Sequence, residues 1–241
     1  MRPANRSLIS ADANRAMFDG IARRYDLLNR LLSFGLDRGW RRAAVAALAP
    51  RDDQCYLDVG CGTGDVTLEV LRQAPGARVV GVDPSEQMLA GASRKVRQAG
   101  VGERVTLTKG DATALAFGDG AFGGVVSAFC IRNVVDRLAA LSEMRRVVAP
   151  GGAVVLLEAT TPHSRLLWAG HWLYMHSVAP VLGGLVARRP GAYRYLADSI
   201  DAFPQSHTML GLMAEAGLAD AQCTPLSGGL VSLYTGRRTS P

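Results

Sequence analysis

In the segment LDVGCGTGDV, residues 57–66, glycines recur at every second position behind an acid: Asp58, Gly60, Gly62 and Gly64, with Thr63 between the last two. Glycine brings no side chain to pack and costs conformational entropy. A run of it serves a tight turn or a backbone that must approach a ligand closely. Two more acids follow short apolar runs downstream, Asp83 after ARVVGV and Asp111 in KGDA, with Ala112 beside the latter. A carboxylate at Asp83 offers two oxygens to two adjacent hydroxyls, as on a ribose. One at Asp111 can accept from an amino group on a ring such as adenine.

The spacing D-x-G-x-G-x-G departs from the dinucleotide fingerprint G-x-G-x-x-G, whose helix N-terminus receives a pyrophosphate. The third glycine comes one position early, and the next helix opens with Asp65, whose own carboxylate would occupy the positive end of the helix dipole. This argues against a phosphate, and with it a nicotinamide dehydrogenase, and for a ligand with a cationic or neutral centre. S-adenosyl-L-methionine, with sulfonium and ammonium charges and no phosphate, fits.

These residues need strand ends to hold them. CYLDVG, ARVVGVD, ERVTLTKGD, GGVVSAFC and GGAVVLLEAT read as strands, alternating with helices in DVTLEVLRQA, SEQMLAGASRKVRQAG and LAALSEMRRVVAP. TMLGLMAEAG reads as a last helix before a hairpin of ADAQCTPLS and LVSLYTGRR. Such alternation predicts an α/β fold: a doubly wound, mostly parallel seven-stranded, Rossmann-like sheet with its ligand at the carboxyl ends of the strands. The expected layout is a single domain over 1–241. It has N-terminal helices at 12–50, a cofactor-binding core at 54–160, a helical cap or substrate region at 161–204, and a C-terminal helix and strands at 205–238.

From Leu166 to Ala187 the chain carries no acid, lysine or arginine, which is long enough on paper for a bilayer span. Pro180, Gly183, Gly184 and the pair His171 and His176 interrupt it, so the expectation is an apolar helix covering the site. It would rest on a membrane surface with Arg188 and Arg189 at its edge. The five-residue gap puts the two histidines on different helix faces, and no metal site is expected. His207, at the start of a helix, reads as solvated or capping.

The net charge of +6 comes from arginine, since Lys95 and Lys109 are the only lysines. A basic balance admits nucleic acid, acidic lipid or an anionic ligand and selects none. Nucleic acid is disfavoured because the chain is poor in aromatics, and FCIRNVVD lacks the Asn/Asp–Pro–Pro–aromatic segment that base amino-methylation uses. Cys55, Cys61, Cys130 and Cys223 form no C-x-x-C pair and read as reduced thiols. With no apolar signal region near the start, the expected location is the cytoplasm, peripheral to the inner face of the cell membrane.

The arrangement resembles class I S-adenosylmethionine-dependent methyltransferases. FDGIARRYDLLNRLLSFGLDRGWRR, LDVGCGTGD, GVDPSEQML, FCIRNVVD, APGG and YRYLADSIDAFP narrow it to the ubiquinone/menaquinone-biosynthesis C-methyltransferases, over about residues 17 to 237. The resemblance implies that Thr63, Asp83, Asp111 and Ala112 touch the cofactor. Ala128 stands where the family carries a cofactor-side serine, with Ser127 one place earlier. EATTP replaces glutamate–phenylalanine–serine–proline.

The implied reaction is methylation of a ring carbon of a prenylated hydroquinone, most directly demethylmenaquinol. The alternatives are a methoxy-polyprenyl-benzoquinol, a natural-product substrate, or a binding module without catalysis. In this reading Arg132 stabilises the phenolate, Asn133 orients a ring hydroxyl, and Tyr25 or Asp26 assists the base. The bland alternative makes Asn133 a helix cap and Arg132 a salt-bridge partner. A prenylated quinol is the expected partner, with a membrane surface and a second copy of the chain as further options.

Overall fold

Strand and helix lengths set by the hydrophobic pattern recur in the computed structural model, which describes residues 10–162, 164–178, 181 and 190–239. Seven strands form one sheet: β1 (Cys55–Val59), β2 (Arg78–Asp83), β3 (Val105–Lys109), β4 (Phe122–Ala128), β5 (Val148–Ala159), β6 (Leu218–Leu226) and β7 (Val231–Arg238). Their order is β3-β2-β1-β4-β5-β7-β6. Pairings among β1 to β5 are parallel, and β7 runs antiparallel to both β5 and β6. The chain changes direction across the sheet between β1 and β4, the crevice where α/β sheets hold ligands.

Both faces of the sheet are buried, so its strands are apolar on both sides and their period-two alternation sorts residues between two cores. Leu57, Val125, Val154 and Leu156 face one core, filled by Leu141 and Met144 of α6 (Arg137–Val147) and by Met209 and Met213 of α9 (Ser206–Glu215). Tyr56, Val126, Val155 and Leu157 face the other, against α3 (Asp37–Leu48) and α4 (Asp65–Gln73). Leu57 is fully buried in the central strand; truncating it to alanine would cost about 2–5 kcal/mol. Between β2 and β3 runs α5 (Glu86–Gln98), started by Ser85, whose side chain accepts from the Met88 N–H at 3.1 Å.

The N-terminal region, expected as helices over 12–50, has three: α1 (Ala11–Ile21), α2 (Tyr25–Leu32) and α3, with a short 3₁₀ turn at Ala22–Arg24. Their separate apolar cluster, Ile21 and Leu28 with Phe18 and Tyr25, is closed by Leu196 of α8 (Pro190–Asp201). The cap also contains α7 (Arg165–Leu173), which continues into a single π-helical turn at Tyr174–Val178. Of the apolar run to Ala187, residues 179, 180 and 182–187 lie outside the described residues, as do Arg188 and Arg189. Among the described residues no helix is long and apolar enough to cross a membrane.

Candidate active site

A cavity of about 440 Å³ lies over the carboxyl ends of β1 to β4, roofed by α1 through Asn14 and Phe18. The glycine loop forms its floor. Gly60 has φ +70°, and a Cβ there would overlap the Cys130 side chain, so only glycine fits. The Gly62 N–H donates to Asp83 Oδ2 at 2.9 Å, and the Ser85 N–H donates to Oδ1 at 2.9 Å. Each carboxylate oxygen keeps acceptor capacity for a hydroxyl. Burial pushes the Asp83 carboxyl up from its ordinary range, opposed by those two N–H donors.

Of the residues expected at the cofactor, Gly60, Gly62, Asp83, Asp111, Ala112 and Ala128 line this cavity. Asp111 Oδ1 accepts from both the N–H and the hydroxyl of Thr113 at 2.8 Å. Ser127 is buried and donates to the Val59 carbonyl at 2.7 Å, which commits its hydroxyl to the sheet. The other three stand behind the lining. Gly64 supplies the left-handed turn into α4, φ +85°. Thr63 donates to Asp26 Oδ1 at 2.5 Å and accepts from Lys95 Nζ at 3.1 Å, so its side chain serves the join between α2 and the loop. Lys95 also pairs with Asp26 at 2.6 Å and with Asp65 at 2.5 Å.

Asp58 sits buried under the loop. Its Oδ2 accepts from Thr67 Oγ1 at 2.7 Å, while Oδ1 has no partner. Burial, reinforced by the charge of Asp83, pushes this carboxyl up to about 7 against the pull of the Thr67 hydrogen bonds. A half-satisfied acid beneath bare main chain, with strand-end carboxylates around it, suits a cation better than an anion. The residues present therefore fit a sulfonium and ammonium ligand.

A second, smaller cavity of about 170 Å³ adjoins it, lined mainly by apolar side chains of α2, α3, α7 and α8. Tyr25 and Phe129 line both cavities and so mark their junction. Phe129 holds a left-handed conformation, φ +57°, uncommon for a bulky residue. Its carbonyl accepts from Arg132 Nη1 at 2.6 Å and from Asn133 Nδ2 at 3.3 Å, and its ring lies 5.5 Å from the Arg41 guanidinium.

The structure assigns Arg132 and Asn133 to different cavities: Arg132 faces the second and Asn133 the first. Arg132 is buried and pairs with Glu158 Oε2 at 3.4 Å; its main-chain N–H donates to Oε1 at 3.2 Å. Burial raises the Glu158 carboxyl and Arg132 opposes it. The salt-bridge half of the bland alternative thus holds, yet Arg132 Nε remains without a partner. Asn133 caps no helix; Asp136 caps α6, accepting from the Ala139 N–H at 2.9 Å. Instead Asn133 Oδ1 accepts from the Tyr195 hydroxyl at 3.2 Å, which in turn accepts from Asn14 Nδ2 at 3.0 Å.

Sequence reasoning missed Phe129, Glu158 and Tyr195. Each lay inside a quoted segment, but nothing local showed which neighbour it meets. His176 stands 3.5 Å from Asp201, whereas His171 lines the second cavity.

Strand order, glycine loop and strand-end acids together define a class I methyltransferase fold. The phosphoethanolamine N-methyltransferase 2 of Haemonchus contortus, solved with S-adenosyl-L-methionine, shares that fold with a TM-score of 0.61 at 17% identity, over 83% of this chain and 52% of that one. More narrowly, the chain belongs to the ubiE/COQ5 methyltransferase family, whose sequence profile matches residues 9–238. It is 46% identical to the ubiquinone/menaquinone biosynthesis C-methyltransferase UbiE of Geobacter sulfurreducens, over 93% of this chain and 88% of that protein. It is 44% identical to the demethylmenaquinone methyltransferase of Thermus thermophilus, over 92% of this chain and 100% of that one.

Proposed function

We propose that the chain methylates a ring carbon of a prenylated hydroquinone, demethylmenaquinol being the first substrate to test, with S-adenosyl-L-methionine as donor. The observation that carries this reading is the junction of two unlike cavities at Tyr25 and Phe129. The donor supplies an electrophilic methyl group on sulfur. The first cavity's lining acids would hold it, Asp83 at the ribose hydroxyls and Asp111 at the adenine side, and Asp58, buried beneath the loop, would face the cationic end from behind. The apolar cavity would hold the ring and the start of its tail.

A ring carbon becomes a good nucleophile as the neighbouring hydroxyl gives up its proton. Phenolic hydroxyls have a pKa of about 10, and each unit of lowering takes about 1.36 kcal/mol. Arg132, held by Glu158 and the Phe129 carbonyl and lining the second cavity, would set its positive charge beside the developing negative charge. Tyr25 at the junction would position the ring, and Asn133 would fix the Phe129 turn beside it. Alignment and exclusion of water supply the largest share, since positioning alone can give about 7–11 kcal/mol.

The finer membrane reading follows from exposed apolar side chains around the second cavity. Phe34 is 79% exposed and Leu166 84%, and Trp168, Trp172 and Leu173 are exposed as well. An interfacial helix of this kind would meet the bilayer from which a prenyl tail enters. Replacing Trp168 and Trp172 together by serine is expected to reduce flotation with anionic vesicles several-fold; unchanged flotation removes this part of the reading.

The reaction itself is tested with labelled S-adenosyl-L-methionine and two rings side by side, a short-tailed demethylmenaquinol and a methoxy-benzoquinol. Label on the naphthoquinol carbon supports the menaquinone route, and label on the benzoquinol supports the ubiquinone route. Label on neither overturns both.

A further inference from the structure

The second cavity, about 170 Å³, is smaller than the roughly 300–1,000 Å³ that encloses a drug-sized ligand, so it holds a ring and leaves a long tail to pass out. Among the described residues lining it, only Phe34 and Leu36 are exposed, at 79% and 47%, which puts its mouth at the turn between α2 and α3. α2 ends there in a left-handed cap. The Phe34 N–H donates to the Leu31 carbonyl at 3.2 Å, and the Gly35 N–H donates to the Arg30 carbonyl at 2.8 Å. Glycine is the usual first residue of such a cap, yet here Phe34 takes that place at φ +52°. A bulky side chain is disfavoured in this conformation, and an exposed ring recovers little through burial. The Phe34 ring lies 5.6 Å from that of Tyr174, on the π-helical turn of the cap, whose hydroxyl donates to the Leu32 carbonyl at 3.2 Å. The two rings form one apolar wall at the mouth.

We propose that Phe34 binds the first isoprene unit of the quinol's tail as it leaves the cavity, with Tyr174 completing the wall, and so makes the chain select tailed rings over bare ones. The inference rests on the quinol reading above. An aliphatic tail seeks apolar surface and makes no hydrogen-bond demands, and a ring held out at the mouth offers that surface. The polar side chains lining the cavity beside it are engaged with their own neighbours: Ser33 donates to Asp37 at 3.1 Å, and Asp37 accepts from Arg41 at 2.6 Å. A glycine at position 34 would end α2 equally well and leave the tail without this wall. A bilayer contact would use the same exposure, but Phe34 lines the cavity whereas Trp168 and Trp172 do not. The tail therefore falls to Phe34 and the bilayer to the tryptophans.

The test follows turnover of the full chain, anaerobically, with labelled S-adenosyl-L-methionine, first without vesicles and then with vesicles of phosphatidylglycerol. The probes are naphthoquinols bearing no tail, one isoprene unit or two. For the wild-type chain kcat/KM should rise about tenfold or more with the first unit, chiefly through KM, and less with the second. Phe34→Gly suits the left-handed backbone, so its melting temperature should not fall, and its preference for the tailed ring should shrink to about twofold or less. Phe34→Leu, which keeps apolar surface, should retain most of the preference. A preference that survives in Phe34→Gly, an equal loss on tailed and bare rings, or a loss confined to the vesicle arm overturns the assignment, the last handing Phe34 to the bilayer. A wild-type chain that methylates bare and tailed rings alike also overturns it and leaves the quinol reading standing. One that methylates neither overturns the quinol reading, and this assignment with it.

Discussion

The two cavities are built by different means. The larger one has a floor of main chain and short acids at the ends of neighbouring parallel strands, where position along the strand decides what faces the ligand, under a roof of α1 side chains such as Phe18. The smaller one is made of long side chains from helices far apart in sequence, Trp40 of α3, Tyr174 after α7 and Leu196 of α8 among them. The first is held rigid by hydrogen bonds such as Gly62 to Asp83. The second is held by apolar packing, and several of its polar groups pair tightly. A general donor needs a fixed grip, whereas the acceptor pocket is free to vary around one fixed charge.

The sharpest way to break this division is at Arg132. Removing it alone would strand Glu158, fully buried, and confuse chemistry with folding. The paired change Arg132→Met with Glu158→Gln avoids this. Turnover should fall about 10²–10³-fold, the range for loss of one donor to a developing oxyanion. S-adenosylhomocysteine affinity by calorimetry should stay within about twofold. Equal loss of both would mean that Arg132 serves the donor cavity after all.

The reciprocal change is Asp83→Ala. Two charge-assisted hydrogen bonds to hydroxyls, each about 1.5–3 kcal/mol, set the scale. Affinity for S-adenosylhomocysteine should drop about 100-fold, while quinol binding, followed by fluorescence, should change little. A large loss on the quinol side would show that the cavities are not separable.

This contrast explains what could be read in advance. Gly60, Gly62, Asp83 and Asp111 were legible because each sits at a strand end or within three residues of one, and parallel strands bring all such points to one edge. Asp58 was legible as an acid but not as an orphan, because its burial depends on the loop folding over it. The direction of Thr63 was hidden, since it is set by Asp26 on another helix. The pairing of Arg132 with Glu158 depends on β4 lying beside β5, and the contacts of Tyr195 and Tyr174 depend on how the cap docks. Local pattern reports strand ends; it does not report which side chains a cap presses together.

A third test concerns the rim alone and runs through pH. Asp58 has a folded pKa of about 7, raised from 3.8. Between those values the folded protein keeps a proton that the unfolded chain has released, so stability falls as pH rises through that window and levels off above it. The slope is about 3 °C in melting temperature per pH unit for a chain of this size. Asp58→Asn should flatten that slope in thermal melts of the ligand-free protein; an unchanged slope would assign it to Asp83 or Glu158, whose shifts have the same sign.

The smallest effect is expected where the two regions are tied together. Asp26 on α2 accepts from Thr63 of the glycine loop and pairs with Lys95 of α5, and Asp19 on α1 accepts from the Ser85 hydroxyl at 2.5 Å. Through these bonds the helices that carry Phe18 and Tyr25 are fastened to the donor rim. The ion pair is partly exposed, so each contact contributes about 1 kcal/mol or less after screening by solvent. Asp26→Asn keeps an acceptor for Thr63 but removes the charge that Lys95 meets. Release of S-adenosylhomocysteine, followed by stopped flow, should quicken about threefold to fivefold, with less change in turnover on saturating quinol. If release is unchanged while turnover falls, the α2 contact sets the ring position through Tyr25, and the fastening acts on the acceptor side of the junction.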